Sequence, residues 1–303
     1  MRLLLIVNSF ASSVTARTTV LVEEAFSADY EVQVVETNRR GHATRFARDA
    51  TTRGVEVVAA LGGDGTVNEV ANGLAGTDTV LAVLPGGSTN VFARTLGLPN
   101  DPVQASATLV ASLRAGHTKR VGLGVVNGRY FTFHTGIGFD AAVVRQVEQR
   151  ASVKRWAGHP LFIWSALATW LKAFDRRRPA MRVCFDDGTE VPDGYFAICL
   201  NTNPYTYLGN RPLDLSPAAT LDRGLVLITF RTMDARSIIG AISGALRGGG
   251  LPDKPYLHQA TDLSHVVIEG ERGFPYQVDG DYLGETRRLE FRHRPDALTL
   301  ALP

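Results

Sequence analysis

Twice within the first hundred residues an apolar run of strand length ends in paired glycines and passes straight into a helix-start pattern. The first run, Val55 to Leu61, leads into Gly62-Gly63-Asp64-Gly65 and then Thr66-Val67-Asn68-Glu69, which fits a capping box. The second ends in Leu84-Pro85 and leads through Gly86-Gly87-Ser88-Thr89-Asn90 into a helical segment from Val91 to Leu96. Strand, glycine turn and helix in that order restrict a chain to βα units, with parallel strands in a sheet covered by helices. The rest of the first part keeps the rhythm. Strand signals fall near residues 2–8, 31–36, 55–61 and 79–84, and helical ones near 12–27, 41–53, 66–75 and 102–115. Sheets of this kind bind ligands beyond the carboxyl ends of their strands. Asn8, Thr37, Gly62 to Gly65 and Pro85 to Asn90 all follow predicted strands, so these loops are expected to converge on one crevice.

After about residue 120 the texture changes to short β-rich segments near 129–134, 181–186, 194–201, 225–231, 265–269, 275–278 and 287–292. A second, mainly antiparallel domain follows, with helical stretches near 140–174 and 234–247. Arg247 to Pro252, with three glycines, reads as a mobile loop. At 303 residues, 45% hydrophobic and 20% charged, the chain has the material for two cores. A net charge of +2, with no patch in which basic and aromatic residues alternate, argues against a nucleic-acid partner. Cys184 and Cys199 offer neither a disulfide framework nor metal-ligand spacing, which fits a cytoplasmic setting. The opening apolar run is broken at Asn8 and reads as a first strand rather than a signal peptide.

The turns suggest chemistry as well as fold. Backbone N–H groups and the positive end of a helix dipole favour phosphate, and glycine lets the backbone approach it. A carboxylate inside such a turn repels phosphate unless a cation lies between, so Asp64 points to Mg²⁺ carried on a nucleotide. The competing reading has Asp64 serving only the turn or a helix cap. Ser88, Thr89 and Asn90 offer hydroxyl and amide partners for phosphate or ribose oxygens, or caps for the helix after them.

These segments in this order resemble the diacylglycerol kinase catalytic domain shared by bacterial lipid kinases and eukaryotic sphingosine and ceramide kinases. The resemblance is carried by Gly62 to Val70, by Pro85 to Arg94, by Gly136-Ile137-Gly138-Phe139-Asp140-Ala141 and by Val278-Asp279-Gly280-Asp281, and extends over nearly the whole chain. It implies a nucleotide-binding α/β N-terminal domain with a parallel layered sheet, like those of NAD kinases and phosphofructokinases. It also implies a β-rich, mainly antiparallel C-terminal domain and an active site in the cleft between the two. The expected division is 1–122 and 123–284, with strands from about 285–303 returning to the first domain.

The resemblance also implies roles. Asn8, Ser9, Thr37, Gly62, Gly63, Asp64, Gly65, Thr66, Glu69, Gly86, Gly87, Ser88 and Asn90 would bind ATP, and Asp64 would hold its Mg²⁺. Asp279 matches the carboxylate proposed to deprotonate the lipid hydroxyl, with Asp281 beside it in place of the usual glutamate. Asp-Gly is equally a hairpin signal, with Tyr276 to Val278 and Asp281 to Leu283 as its arms. The chain departs from the family where Val91, Gly122 and Arg223 replace acidic residues associated with metal and catalytic networks. These departures motivate one rival reading, a nucleotide- or lipid-binding regulator with weak catalysis. The other, a kinase of NAD or another soluble alcohol, comes from the Gly-Gly-Asp-Gly turn, which also occurs in NAD kinases. Lys154 to Lys172 sets three tryptophans beside basic residues and reads either as a peripheral membrane contact or as a helix buried on one face. His134 is expected to be a hydrogen-bonded structural residue, and the oligomeric state, a homodimer included, is left open.

Overall fold

The computed structural model describes residues 1–149 and 178–303. The chain divides into two compact units, Met1–Leu123 with Pro295–Pro303, and Gly124–Arg294. Lys154 to Lys172 lies outside the described residues. So does most of the expected 140–174 helix.

The first unit is built on β1 (Arg2–Val7), β2 (Glu31–Glu36), β3 (Val57–Gly62) and β4 (Val80–Pro85). Its strands run in the order β4-β3-β1-β2 and are all parallel, and Thr299 and Leu300 add a further parallel pairing against Val80 and Leu81 of β4. The helices are α1 (Ala16–Ser27), α2 (His42–Thr52), α3 (Asp64–Leu74), α4 (Val91–Thr95) and α5 (Pro102–Arg114); α1 packs with α5 and α2 with α3. Every residue of β3 is buried, as expected of a central parallel strand covered on both faces, which is why it reads as an unbroken apolar run. On β2, Val32, Val34 and Val35 are half-buried between more exposed Glu31, Gln33 and Glu36, the mark of an edge.

The second unit is antiparallel. After β5 (Thr118–Val126) the strands are β6 (Arg129–Phe131), β7 (His134–Ile137), β8 (Met181–Phe185), β9 (Glu190–Gly194), β10 (Phe196–Leu200), β11 (Thr206–Leu208), β12 (Arg211–Leu213), β13 (Leu225–Phe230), β14 (Leu257–Leu263), β15 (His265–Val278) and β16 (Asp281–Ala301). Five of them neighbour one another in the order β14-β13-β10-β7-β15. Alternate residues feed opposite faces. Ala197, Cys199, Leu225 and Leu227 enter one core with Phe274 and Phe291, while Phe196, Ile198, Val226 and Ile228 enter another with Ala241 and Ala245. The last two sit on α7 (Ala235–Arg247), which covers that face; α6 (Phe139–Glu148) follows β7.

Three expectations need correction. The segments 265–269 and 275–278 belong to one strand, β15, which shifts register against its partner between Glu269 and Phe274 instead of ending there. The returning segment starts at Pro295 rather than near 285, because the strand Asp281–Ala301 stays paired with β15 as far as Arg292. Helix α3 starts at Asp64, two residues early, so Thr66 is inside the helix and is not its cap.

Candidate active site

In the first unit the carboxyl ends of the strands bring the expected loops together. Asn8 follows β1, its N–H bonded to the Leu61 carbonyl, and its Nδ2 donates to Thr66 Oγ1 at 3.0 Å. Thr37, buried at the end of β2, donates its N–H to the Val7 carbonyl. Ser9 Oγ reaches Glu36 Oε2 at 3.3 Å. Gly62 pairs with Pro85 at the ends of β3 and β4, and Gly86 N–H donates to the Gly62 carbonyl at 2.7 Å.

The two glycine turns interlock. A Cβ on Gly86 would stand 2.8 Å from Gly62 Cα, and one on Gly87 would stand 2.8 Å from Gly63 Cα. Backbone lies on backbone here, so neither Gly86 nor Gly87 has room for a side chain. Asn90, in the left-handed region at φ 50, ties off the second turn: its Oδ1 accepts from Gly87 N–H at 2.7 Å and its Nδ2 donates to the Gly87 carbonyl at 2.9 Å. Ser13, which carries no motif, closes the assembly by donating its N–H to the Gly86 carbonyl and its hydroxyl to that of Gly87. Ser88 is left exposed at the tip.

Asp64 joins the turns electrostatically. Its Oδ2 accepts from Val91 N–H at 3.0 Å and its Oδ1 from Phe92 N–H at 3.1 Å, so a residue in the first turn of α3 caps the start of α4. The carboxylate thereby meets the positive end of a neighbouring helix, and it is partly exposed. Glu69, expected at the nucleotide, instead caps α2: Oε1 accepts from Gly41 N–H and Oε2 from Ala43 N–H, at 2.8 and 3.1 Å. Gly65 completes the turn as the second residue of α3, whose N-terminal end faces the same loops.

In the second unit Asp279 and Gly280 form the two-residue connection between β15 and the strand from Asp281, with Val278 paired to Asp281. Both turn residues have positive φ, 47° and 84°, as the tightest hairpins require. The hairpin is therefore real, and its aspartate is also engaged. Oδ2 of Asp279 accepts from Thr132 N–H at 2.7 Å and from the Thr132 hydroxyl at 2.8 Å; Oδ1 accepts from Phe133 and His134 N–H, each at 3.0 Å. Three successive N–H groups wrapped round a carboxylate form an anion nest. Only 4% of Asp279 is exposed, and burial pushes its carboxyl above the usual range although these bonds pull it back. Asp281 is more open and pairs with Arg129, Nη2 to Oδ2 at 3.5 Å.

Sequence reasoning missed the layer behind this turn. Asp140, at the start of α6, is buried with its Oδ2 accepting from Gln277 Nε2 at 2.8 Å and its Oδ1 accepting from the Tyr205 hydroxyl. Burial raises the Asp140 carboxyl. The Gly136-to-Ala141 motif was the only local sign, since Tyr205 and Gln277 carry none. His134 packs its ring 4.3 Å from that of Tyr205, and burial pushes its imidazole down to about 3. Its Nδ1 has no hydrogen-bond partner, while its backbone N–H donates to Asp279 Oδ1 and its carbonyl accepts from Asp279 N–H. Among the described residues no three His, Cys, Asp or Glu side chains gather as a metal cage.

Residues 2–126 match the family model of the diacylglycerol kinase catalytic domain. A diacylglycerol kinase of Bacillus subtilis is 30% identical over 263 residues, covering 85% of this chain and 81% of the relative. A protein of Chromohalobacter salexigens named "Probable lipid kinase YegS-like" is 30% identical over 283 residues, 91% of this chain and 85% of its own. In fold, the crystal structure of a diacylglycerol kinase from Bacillus anthracis matches with a TM-score of 0.73 at 21% identity, covering 100% of this chain and 97% of that one.

Proposed function

Because the chain belongs to the diacylglycerol kinase family, with relatives named both as diacylglycerol kinases and as lipid kinases, we propose that it moves the terminal phosphoryl group of ATP to the hydroxyl of diacylglycerol or a related membrane lipid alcohol. The observation that carries this reading is the pair of interlocked glycine turns at the N-terminal end of α3, cross-tied by Asp64. Such an arrangement offers backbone N–H groups and a helix dipole to phosphate oxygens without side chains in the way. Asn8, Ser9 and Thr37 surround it with hydrogen-bonding groups for the rest of the nucleotide.

The residues present fit a metal carried by the nucleotide better than one held in a protein cage. Mg²⁺ is commonly bound through one or two carboxylates and the substrate's phosphates, and Asp64 supplies a partly exposed carboxylate in the glycine turn. When bound, the ion would neutralise charge developing on the phosphoryl oxygens. The chain's own residues do the rest. The glycine turns hold the phosphates, and Asp279 takes the proton of the lipid hydroxyl as its oxygen bonds to phosphorus and the bond to ADP breaks. In the described conformation Asp279 already accepts four hydrogen bonds, which matches the roughly four acceptor sites of a carboxylate. The Thr132 hydroxyl is the one donor among these four that can rotate away without moving backbone, so it would yield its place to the substrate.

That same saturation favours a second reading, a nucleotide- or lipid-binding regulator with weak or no catalysis. The test is incubation of purified protein with Mg²⁺, labelled ATP and a mixed-micelle lipid panel, with NAD in parallel. Labelled lipid is expected. Label in NAD and not in lipid overturns the reading, and saturable ATP binding without transfer to any acceptor supports the regulator. No helix among the described residues is long and apolar enough to cross a membrane, and access to a lipid substrate would be peripheral. Sedimentation with lipid vesicles tests that part, and protein that stays in the supernatant contradicts it.

A further inference from the structure

Gln277 stands two residues before Asp279 and is completely buried. Its amide works in two directions: Oε1 accepts from Gly280 N–H at 2.8 Å, and Nε2 donates to Asp140 Oδ2 at 2.8 Å. A glutamine amide fits its cavity almost equally well turned over, and a turned amide would aim NH₂ at the Gly280 N–H, donor against donor. Opposite Nε2 stands a carboxylate oxygen, which accepts and so selects one orientation. The other oxygen of Asp140 is taken by the Tyr205 hydroxyl, so the carboxylate is itself held.

A second observation shows that the fold makes room for this pair. Gly136 lies directly across from Gln277 in the β7–β15 ladder. A Cβ there would fall 1.5 Å from Asp140 Oδ2 and 2.6 Å from Gln277 Nε2. The glycine of Gly136-Ile137-Gly138-Phe139-Asp140 is thus an empty seat filled by the carboxylate–amide contact. A buried carboxylate costs free energy, and an Asp-Gly pair forms a tight hairpin without help from one.

We propose that Asp140 is a positioning residue for phosphoryl transfer: it fixes the orientation of the Gln277 amide and, through Gly280 N–H, holds the turn that presents Asp279 and Asp281. The inference rests on reading the chain as a lipid kinase whose proton acceptor lies on this turn. It adds that the turn is held by a directional chain, from Tyr205 through Asp140 and Gln277 to Gly280. Displacing a reacting group by about 1 Å can cost about 100-fold in rate, so the chain acts on turnover rather than on nucleotide affinity.

An exchange of the two side chains tests it. Asp140→Ala removes the acceptor that selects the amide, and Gln277→Glu sets two carboxylates against each other. The double exchange, Asp140→Asn with Gln277→Glu, keeps the formal charge and restores every bond in reverse: the asparagine amide donates to the glutamate, which still accepts from Gly280. Each single variant should lose about 10- to 100-fold in kcat with KM for ATP within about twofold, and the double should recover to within about threefold of wild type. Amide exchange at Gly280 should quicken in each single variant and slow again in the double. A double variant that misfolds, or that is no better than the worse single, overturns the proposal, as do single variants with wild-type kcat. Asp279→Asn and Asp281→Asn are assayed beside them. If both turn over like wild type, the base reading fails, while Gly280 exchange still decides the orientation of the amide.

Discussion

The turn at Gly62 to Gly65 and the turn at Asp279-Gly280 each carry one aspartate, and in each the carboxylate is engaged by backbone N–H groups. They differ in how far that goes. Asp64 accepts from the first two N–H groups of α4 and stays partly exposed, while Asp279 accepts from three N–H groups and a hydroxyl and is almost wholly buried. The first carboxylate joins the two glycine turns and keeps part of its surface open to solvent. The second is locked, and any proton transfer to it starts with a donor leaving. Glycine is required for opposite reasons as well. In the first unit it allows two backbones to touch, and at Gly280 it allows positive φ.

Asparagine in place of each aspartate separates the two turns most strongly. In Asp279→Asn the new NH₂ must face either the Thr132 donors or those of Phe133 and His134, at a cost of about 2–4 kcal/mol. Turnover should fall by at least about 100-fold with ATP affinity nearly unchanged. Asp64→Asn confronts a single N–H and should cost about 1–2 kcal/mol, while weakening ATP binding about tenfold. Chemical denaturation and ATP titration on the two variants check this, and equal stability losses would erase the distinction.

Next in size is Gly86→Ala, whose methyl would press on Gly62 Cα and N at 2.8 and 2.9 Å. Backbone has to move, so a loss of about 1–3 kcal/mol is expected, with ATP affinity falling in step. Calorimetric titration decides it, since intact ATP affinity would separate the interlocking of the turns from nucleotide binding.

A pH series probes the buried side of the second unit. His134 is neutral in the fold with its imidazole pushed down to about 3, whereas the unfolded chain takes up a proton near pH 6.5. The stabilisation is therefore complete above about pH 6.5 and is lost as the pH falls from there toward 3. Relative to His134→Asn, wild type should lose about 1.3 kcal/mol between pH 7 and pH 5.5. Asp140 and Asp279, both raised by burial, act in the opposite sense, favouring the fold as they protonate at lower pH, and they cancel in this difference if the substitution leaves them unmoved. A difference that does not change with pH would place the imidazole in water.

The smallest expected effect belongs to Thr132→Val, which removes the rotatable donor and leaves three N–H groups on Asp279. Stability should fall by about 1 kcal/mol and turnover should stay within about threefold. A large loss of turnover in a folded variant would mean that the hydroxyl does more than give way.

Much of the first unit was legible because its signals are local. Unbroken apolar runs became β1, β3 and β4, and the two glycine turns fell at the ends of β3 and β4. What could not be read was partnership over distance. Glu69 has the spacing of a capping box, yet its carboxylate caps α2 at Gly41 and Ala43, because helix packing brought those N–H groups closer. Asp64 looked like either a metal ligand or a cap. The cap it makes belongs to a helix that starts 27 residues later. In the second unit the Asp-Gly hairpin was visible, but the nest at Thr132 to His134 lies 145 to 147 residues from Asp279 and has no local mark. The segments 265–269 and 275–278 read as two strands, and only the pairing of both with the strand from Asp281 shows that they are one, β15.

We propose a lipid kinase in which Asp64 serves nucleotide binding and Asp279 accepts the proton of the lipid hydroxyl. Transfer of labelled γ-phosphate from Mg²⁺-ATP to diacylglycerol in mixed micelles, by wild type and by folded Asp64→Asn and Asp279→Asn, tests it most directly. Labelled phosphatidate is expected from wild type, with weakened nucleotide binding in the first variant and lost turnover at unchanged nucleotide affinity in the second. Wild-type turnover by folded Asp279→Asn, or label that enters NAD and no lipid, would contradict it.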